Sequence, residues 1–213
     1  MIKAVIFDLD GTLLNTLEDL KDAVNAALKA YNLPERSLEE VRKFVGNGVR
    51  NLMIRAVPDG QEHPQFEEIF DEFKAYYGVH CKDKTKPYDG IIELLDTLKE
   101  KNIKMAIVSN KIDSAVKELD KEYFKGYFGA AIGEMEGVSR KPAPDTALKA
   151  MKEIGSNADE TIYVGDSDVD IKTAINAGIS CISVEWGFRD RDFLLANGAK
   201  IIVKSPMEVI EWI

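Results

Sequence analysis

With 213 residues and 45% hydrophobic side chains, the chain can bury a sizeable core, as one large domain or as one domain carrying a smaller insertion. A formal net charge of −9, with no Lys/Arg block to offset the acid excess, excludes nucleic acid and anionic membranes as expected partners and favours small diffusible substrates. No apolar run approaches the ~20 residues that span a bilayer, the N-terminus enters a strand directly, and Cys81 and Cys181 lack metal or disulfide-framework spacing, so a cytoplasmic, reducing setting is expected.

The first element is a short strand. Ala4 to Phe7 is continuously apolar, as in a strand buried on both faces, and it stops at Asp8-Leu9-Asp10-Gly11-Thr12. Two carboxylates beside a core suggest a cation or catalysis; an Asp-Gly turn capped by Asp10 explains the same residues, and this stretch alone leaves both open. Helical periodicity follows over about residues 17 to 31, with Asn15 or Thr16 as cap. A second helical region from Ser37 breaks at Val45-Gly46-Asn47-Gly48 and resumes through Ala56. A third spans residues 64 to 79, with Phe66, Phe70, Phe73 and Tyr77 on one apolar face, and residues 82 to 87 form a polar connector.

The next core strand is Lys104 to Ser109, after a helix at Ile91 to Lys101. The intervening length far exceeds a parallel crossover, so residues 16 to 82 are read as a helical domain inserted into an α/β core of residues 1–15 and 83–213. From Lys104 onward strands and helices alternate: a helix at 113–121, strand 129–132, helix 145–154, strand 161–164, helix 169–177, strand 179–184, helix 190–197, strand 200–203 and a helix from Pro206. That alternation predicts a doubly wound parallel sheet whose ligands bind beyond the carboxyl ends of its strands.

Three strands end in polar clusters: Asp8 to Thr12, Ser109-Asn110-Lys111 and Gly165-Asp166-Ser167-Asp168-Val169-Asp170. A fourth cluster, Arg140-Lys141-Pro142-Ala143-Pro144, precedes a helix. Together they suit phosphoryl transfer. Asp8, Asp10 or Asp166 offers the oxygen ligands a hard cation such as Mg²⁺ takes. One carboxylate can attack phosphorus while an offset one protonates the leaving oxygen. Lys141 offsets phosphate charge, and Ser109 with Asn110 can hold phosphate oxygens.

In order and spacing these clusters resemble the four motifs of the haloacid dehalogenase superfamily, over nearly the whole chain, with the first motif DxDGTL at Asp8 to Leu13. The resemblance implies that Asp8 is the nucleophile and a metal ligand, and that Asp10 is the general acid/base and a ligand through its carbonyl. It also implies that Thr12, Ser109 and Asn110 belong to the phosphate site, that Lys141 stabilises the pentavalent phosphorus, that Asp166 ligates Mg²⁺ and that Asp170 supports them. The inserted helices resemble the family's small cap. Dehalogenase members lack the second aspartate, so Asp10 points to phosphoesters. Phe44 to Leu52 and Trp186-Gly187-Phe188-Arg189 are similar to phosphoglycolate phosphatases. On that likeness Gly46 and Asn47 would approach a ligand by backbone and Arg50 would grip a substrate carboxylate; a surface arginine at a helix start is the equal alternative.

The expected activity is Mg²⁺-dependent hydrolysis of 2-phosphoglycolate or a similar small phosphorylated metabolite, with oligomeric state left open. A sugar phosphomutase, a pyrophosphatase or nucleotidase of the same superfamily, or a non-catalytic phospho-ligand module are the alternatives. His63, His80, both cysteines and Trp212 are expected to be structural or surface residues, and Asp168 to start a helix.

Overall fold

The computed structural model describes residues 1–46 and 48–213; the reading placed on Asn47 lies outside the described residues. The chain divides into two compact units, Met1–Leu14 with Pro87–Ile213, and Asn15–Lys86.

The larger unit is built on a six-stranded parallel sheet. Its strands are β1 (Ala4–Phe7), β4 (Lys104–Ile112), β5 (Ala130–Glu134), β6 (Thr161–Gly165), β7 (Ser180–Val184) and β8 (Ile201–Val203), in the order β5-β4-β1-β6-β7-β8. The remaining two strands, β2 (Leu14–Asn15) and β3 (Lys86–Pro87), form a ladder of their own where the chain leaves and re-enters this unit. β1 is central because all four of its residues are buried, so both faces need covering. Alternation along the strands sorts the core into two layers. Val5, Phe7, Ile107, Ile162 and Val164 pack with α5 (Ile91–Glu100) and α6 (Asp113–Tyr123). On the other face Ile6, Ala106, Val108 and Tyr163 pack with α7 (Asp145–Ile154) and α8 (Asp168–Ala177). The doubly wound α/β class expected from the alternation is the one observed.

Register then places the chemistry. Phe7 lies opposite Ile107 of β4 and Val164 of β6, so Asp8, Ser109 and Asp166 each follow within two residues of one level of the sheet. β1 is also where the winding reverses direction, the crevice at which open α/β sheets bind ligands. Two local differences from the sequence reading have physical causes. β4 runs on to Ile112 instead of ending at Ser109, with an irregular register between Val108 and Ile112 against β5. The final helix, Pro206–Trp212, is 3₁₀, whose three-residue turn lines up the buried Pro206 and Val209.

The smaller unit has its own apolar core. Leu20, Val24 and Leu28 of α1 (Leu17–Ala30), Val41 of α2 (Leu38–Phe44), Leu52 and Met53 of α3 (Val49–Ala56), and Phe66, Ile69 and Phe73 of α4 (Phe66–His80) form it. Ser37 and Glu40 cap α2 reciprocally. The boundary falls after Lys86, not residue 82, because buried Asp19 of α1 accepts the Lys84 and Thr85 N–H groups and the Thr85 hydroxyl at 3.0, 2.8 and 2.7 Å. Short arms α9 (Arg191–Ala196) and β8 complete the core unit. Among the described residues no helix is long and apolar enough to cross a membrane.

Candidate active site

The turn after β1 is held by its own backbone. Leu9 O accepts from Leu13 N at 3.0 Å and Leu14 N at 2.9 Å, and Gly11 N donates to Leu14 O at 2.9 Å. Gly11 adopts φ +90°, and a Cβ there would lie 2.5 Å from Asp166 Oδ2, so only glycine lets this turn meet the end of β6.

Lys141 is the centre of the site. Its buried ammonium donates to Asp8 Oδ1 and Asp170 Oδ1, both at 2.8 Å, and lies 3.1 Å from Val108 O and from the Tyr163 hydroxyl. Burial alone would lower the Lys141 pKa; the charges of Asp170 and Asp8 outweigh it and hold the ammonium well above its ordinary value. Tyr163, not singled out in the sequence, is buried with its hydroxyl 3.3 Å from Val108 O. The signal available for it was general: a buried tyrosine hydroxyl takes a polar partner.

Among the described residues, Asp8, Asp166 and Asp170 form one buried group whose carboxylate oxygens lie within 4.8 Å of one another. Burial first, then the charge of Asp170, raises Asp8 well above the carboxylate range despite Lys141. The same two causes raise Asp166 to about 7, opposed by the Phe188 N–H, which donates to Asp166 Oδ2 at 2.7 Å. Asp170 is fully engaged: Oδ1 takes Lys141, and Oδ2 takes the Ser167 hydroxyl at 2.6 Å and the Ser167 N–H at 3.1 Å. Three buried carboxylates against one ammonium leave an excess of negative charge, and an all-oxygen set of this kind fits a hard divalent cation.

The other expected residues are placed as follows. Ser109 is buried, and its Oγ accepts from Lys111 N at 3.2 Å. Asn110 Nδ2 donates to Lys141 O at 3.0 Å, tying the end of β4 to the lysine segment. Among the described residues the buried Thr12 Oγ1 and Asn110 Oδ1 have no hydrogen-bond partner, polar atoms that a ligand could engage. Asp10 stands apart from the carboxylate group, part-exposed, with Lys111 Nζ 3.4 Å from its Oδ1. Asp168 begins α8 and pairs with Lys172 along the helix. The loop after β7 closes on the turn: Trp186 Nε1 donates to Thr12 O at 3.0 Å, and a Cβ on Gly187 would lie 2.3 Å from Asp166 Cβ.

In the helical unit, Arg50 forks onto Glu67, with Nη1 3.0 Å from Oε2 and Nη2 bonded to Oε1, and lies over the Phe66 and Phe70 rings. Gly46 sits at φ +123° and its carbonyl accepts from Arg55 Nη1 at 3.1 Å, as does Phe44 O at 2.6 Å. Arg55, unnoticed in the sequence, thus ties α3 to the carbonyls of Phe44 and Gly46. His63 and His80 make local contacts, to Gln65 N and to Asp83 and the Tyr76 ring.

A doubly wound sheet carrying a lysine-centred carboxylate group at its switch point is the arrangement of an α/β enzyme suited to handling phosphate. Residues 5–184 match the family model described as haloacid dehalogenase-like hydrolase, and the chain belongs to that family. It is 31% identical to the phosphoglycolate phosphatase of Aquifex aeolicus over 99% of this chain and 100% of that protein. Phosphoglycolate phosphatase 1 of Pseudomonas aeruginosa is 33% identical over 98% of this chain and 76% of its own length. The N-acetylmuramic acid 6-phosphate phosphatase of the same organism is 30% identical over 99% and 94%. Among solved structures, an inferred phosphoglycolate phosphatase from Lactobacillus delbrueckii subsp. bulgaricus superposes with a TM-score of 0.94 at 37% identity, covering 99% of this chain and 97% of that one.

Proposed function

We propose that the protein is a Mg²⁺-dependent phosphomonoesterase that hydrolyses 2-phosphoglycolate or a similarly small phosphorylated acid in the cytoplasm, through an aspartyl phosphate on Asp8. The observation that carries this reading is the Lys141-centred group of Asp8, Asp166 and Asp170, in a chain similar along its length to phosphoglycolate phosphatases.

One oxygen each of Asp8 and Asp166 remains beyond those held by Lys141 and Phe188, so these two would ligate the cation, with the Asp10 carbonyl, while Asp170 orients Lys141. A bound Mg²⁺ supplies positive charge against the phosphoryl oxygens and against the buried carboxylates. Lys141, 2.8 Å from Asp8, adds a fixed ammonium where negative charge gathers as Asp8 approaches phosphorus. A carboxylate oxygen of Asp8 forms the new bond to phosphorus as the ester P–O bond breaks, and Asp10 gives its proton to the departing oxygen. Asp10 then takes a proton from water, whose oxygen bonds to phosphorus as the Asp8 P–O bond breaks. Inorganic phosphate leaves and both aspartates return to their starting states. Ser109 and Thr12 would hold the phosphoryl oxygens. The helical unit is assigned the part of cap, with Gly46 and Arg50 given the choice of substrate; for Arg50 that requires release from Glu67.

Phosphate release from a panel of small phosphoesters, with and without Mg²⁺, tests the reading. The expected result is Mg²⁺-dependent release, fastest from 2-phosphoglycolate, and loss of at least a thousandfold in kcat for Asp8→Asn. Wild-type activity in a folded Asp8→Asn protein would overturn the nucleophile assignment, and an isomerised sugar phosphate without free phosphate would make the protein a mutase.

A further inference from the structure

We infer that Lys111 reads the leaving group: it holds a substrate carboxylate placed one methylene from the ester oxygen, and so selects phosphorylated 2-hydroxy acids over neutral phosphoesters. This rests on the hydrolase reading above, with Asp10 as the acid.

Lys111 is positioned by backbone, not by chance on a surface. The register irregularity between Val108 and Ile112 re-aims the side chains at the end of β4. Gly133 of β5 makes room for it, since a Cβ there would lie 2.5 Å from Lys111 O and from Asp113 Cα. Asp113 Oδ1 fixes the approach by accepting Gly133 N at 2.9 Å. As a result the Lys111 side chain is only 12% exposed, and its Nζ lies 3.4 Å from Asp10 Oδ1. A general acid works within roughly 2.6–3.2 Å of the oxygen it protonates, so an oxygen protonated by Asp10 Oδ1 falls within about 6.6 Å of that ammonium. A carboxylate one methylene from that oxygen spans most of the remaining gap and meets Nζ at hydrogen-bond range.

Charge balance points the same way. A carboxylate on the leaving group gives the Lys111 ammonium, 3.4 Å from Asp10 and with only 12% of its side chain exposed, a charged acceptor that an alcohol does not offer. Lys111 therefore discriminates on the core side of the chemistry, on the same strand end as Ser109.

The test compares 2-phosphoglycolate with ethyl phosphate, which has the same chain length and an uncharged leaving group, in wild type, Lys111→Met and Lys111→Arg. The expected result for Lys111→Met is a ten- to hundredfold fall in the ratio of the two kcat/KM values, mostly through a higher KM for 2-phosphoglycolate, with Lys111→Arg recovering much of it. Equal losses on both esters would overturn the inference and leave Lys111 as a positioning residue for Asp10, as would an unchanged ratio. If wild-type enzyme with Mg²⁺ released phosphate from neither ester, the hydrolase reading itself would fall.

Discussion

Lys141 Nζ and Asp8 Oδ1 lie 2.8 Å apart in a pocket where both side chains are almost wholly buried. The pair is not a decoration of the sheet end, because the lysine is shared with Asp170 at the same distance. Breaking a buried pair leaves an uncompensated charge. Lys141→Met should therefore abolish phosphate release and cost roughly 3–5 kcal/mol of stability at pH 8. The loss should shrink at pH 5, where Asp8, whose pKa burial already raises, is held neutral instead. Urea midpoints at the two pH values measure it; a pH-independent loss would mean that Lys141 acts mainly by packing.

A second expectation concerns Gly187. Its missing Cβ is what admits Asp166 and the Gly11 carbonyl, which would lie 2.3 and 2.5 Å from an added methyl. Gly187→Ala should displace Asp166, at about 1–3 kcal/mol of overpacking, and weaken Mg²⁺ binding by tenfold or more. Thermal unfolding and calorimetric Mg²⁺ titration together check it, and full Mg²⁺ affinity in the variant would show that the loop is free to give way.

The Asp166 pKa of about 7 sets a pH window. Its folded value is raised above the 3.8 of the free side chain, so without a cation the folded state holds a proton that the unfolded chain gives up. Stability in chelator should accordingly fall as pH rises from about 4 to 7 and level off above. Mg²⁺ competes with that same proton, so its affinity should climb up to about tenfold per pH unit over pH 5–7 and then flatten, and the melting temperature should gain more from Mg²⁺ at pH 8 than at pH 5. A Mg²⁺ affinity independent of pH across this range would remove Asp166 from the ligand set.

The strands and helices were legible because their signals are local. The apolar run of β1, the helical periodicity of α1 and the alternation after Lys104 needed no knowledge of partners. The polar residues at the strand ends were equally readable, and a parallel sheet obliges them to share an edge. What the chain alone determined is thus a doubly wound α/β core with an acidic, lysine-bearing rim, and an inserted helical segment. Tertiary structure decided the rest, because it depends on distances between residues far apart in sequence. It joined Lys141 to Asp8 and Asp170 and left Asp10 to Lys111. It made Tyr163, within a strand the sequence located, part of the lysine's setting, and committed Arg50 to Glu67. It also carried the helical unit's boundary into the polar connector, as far as Lys86, through the buried carboxylate of Asp19. Periodicity reports which face is buried; only packing fixes which polar atoms meet there.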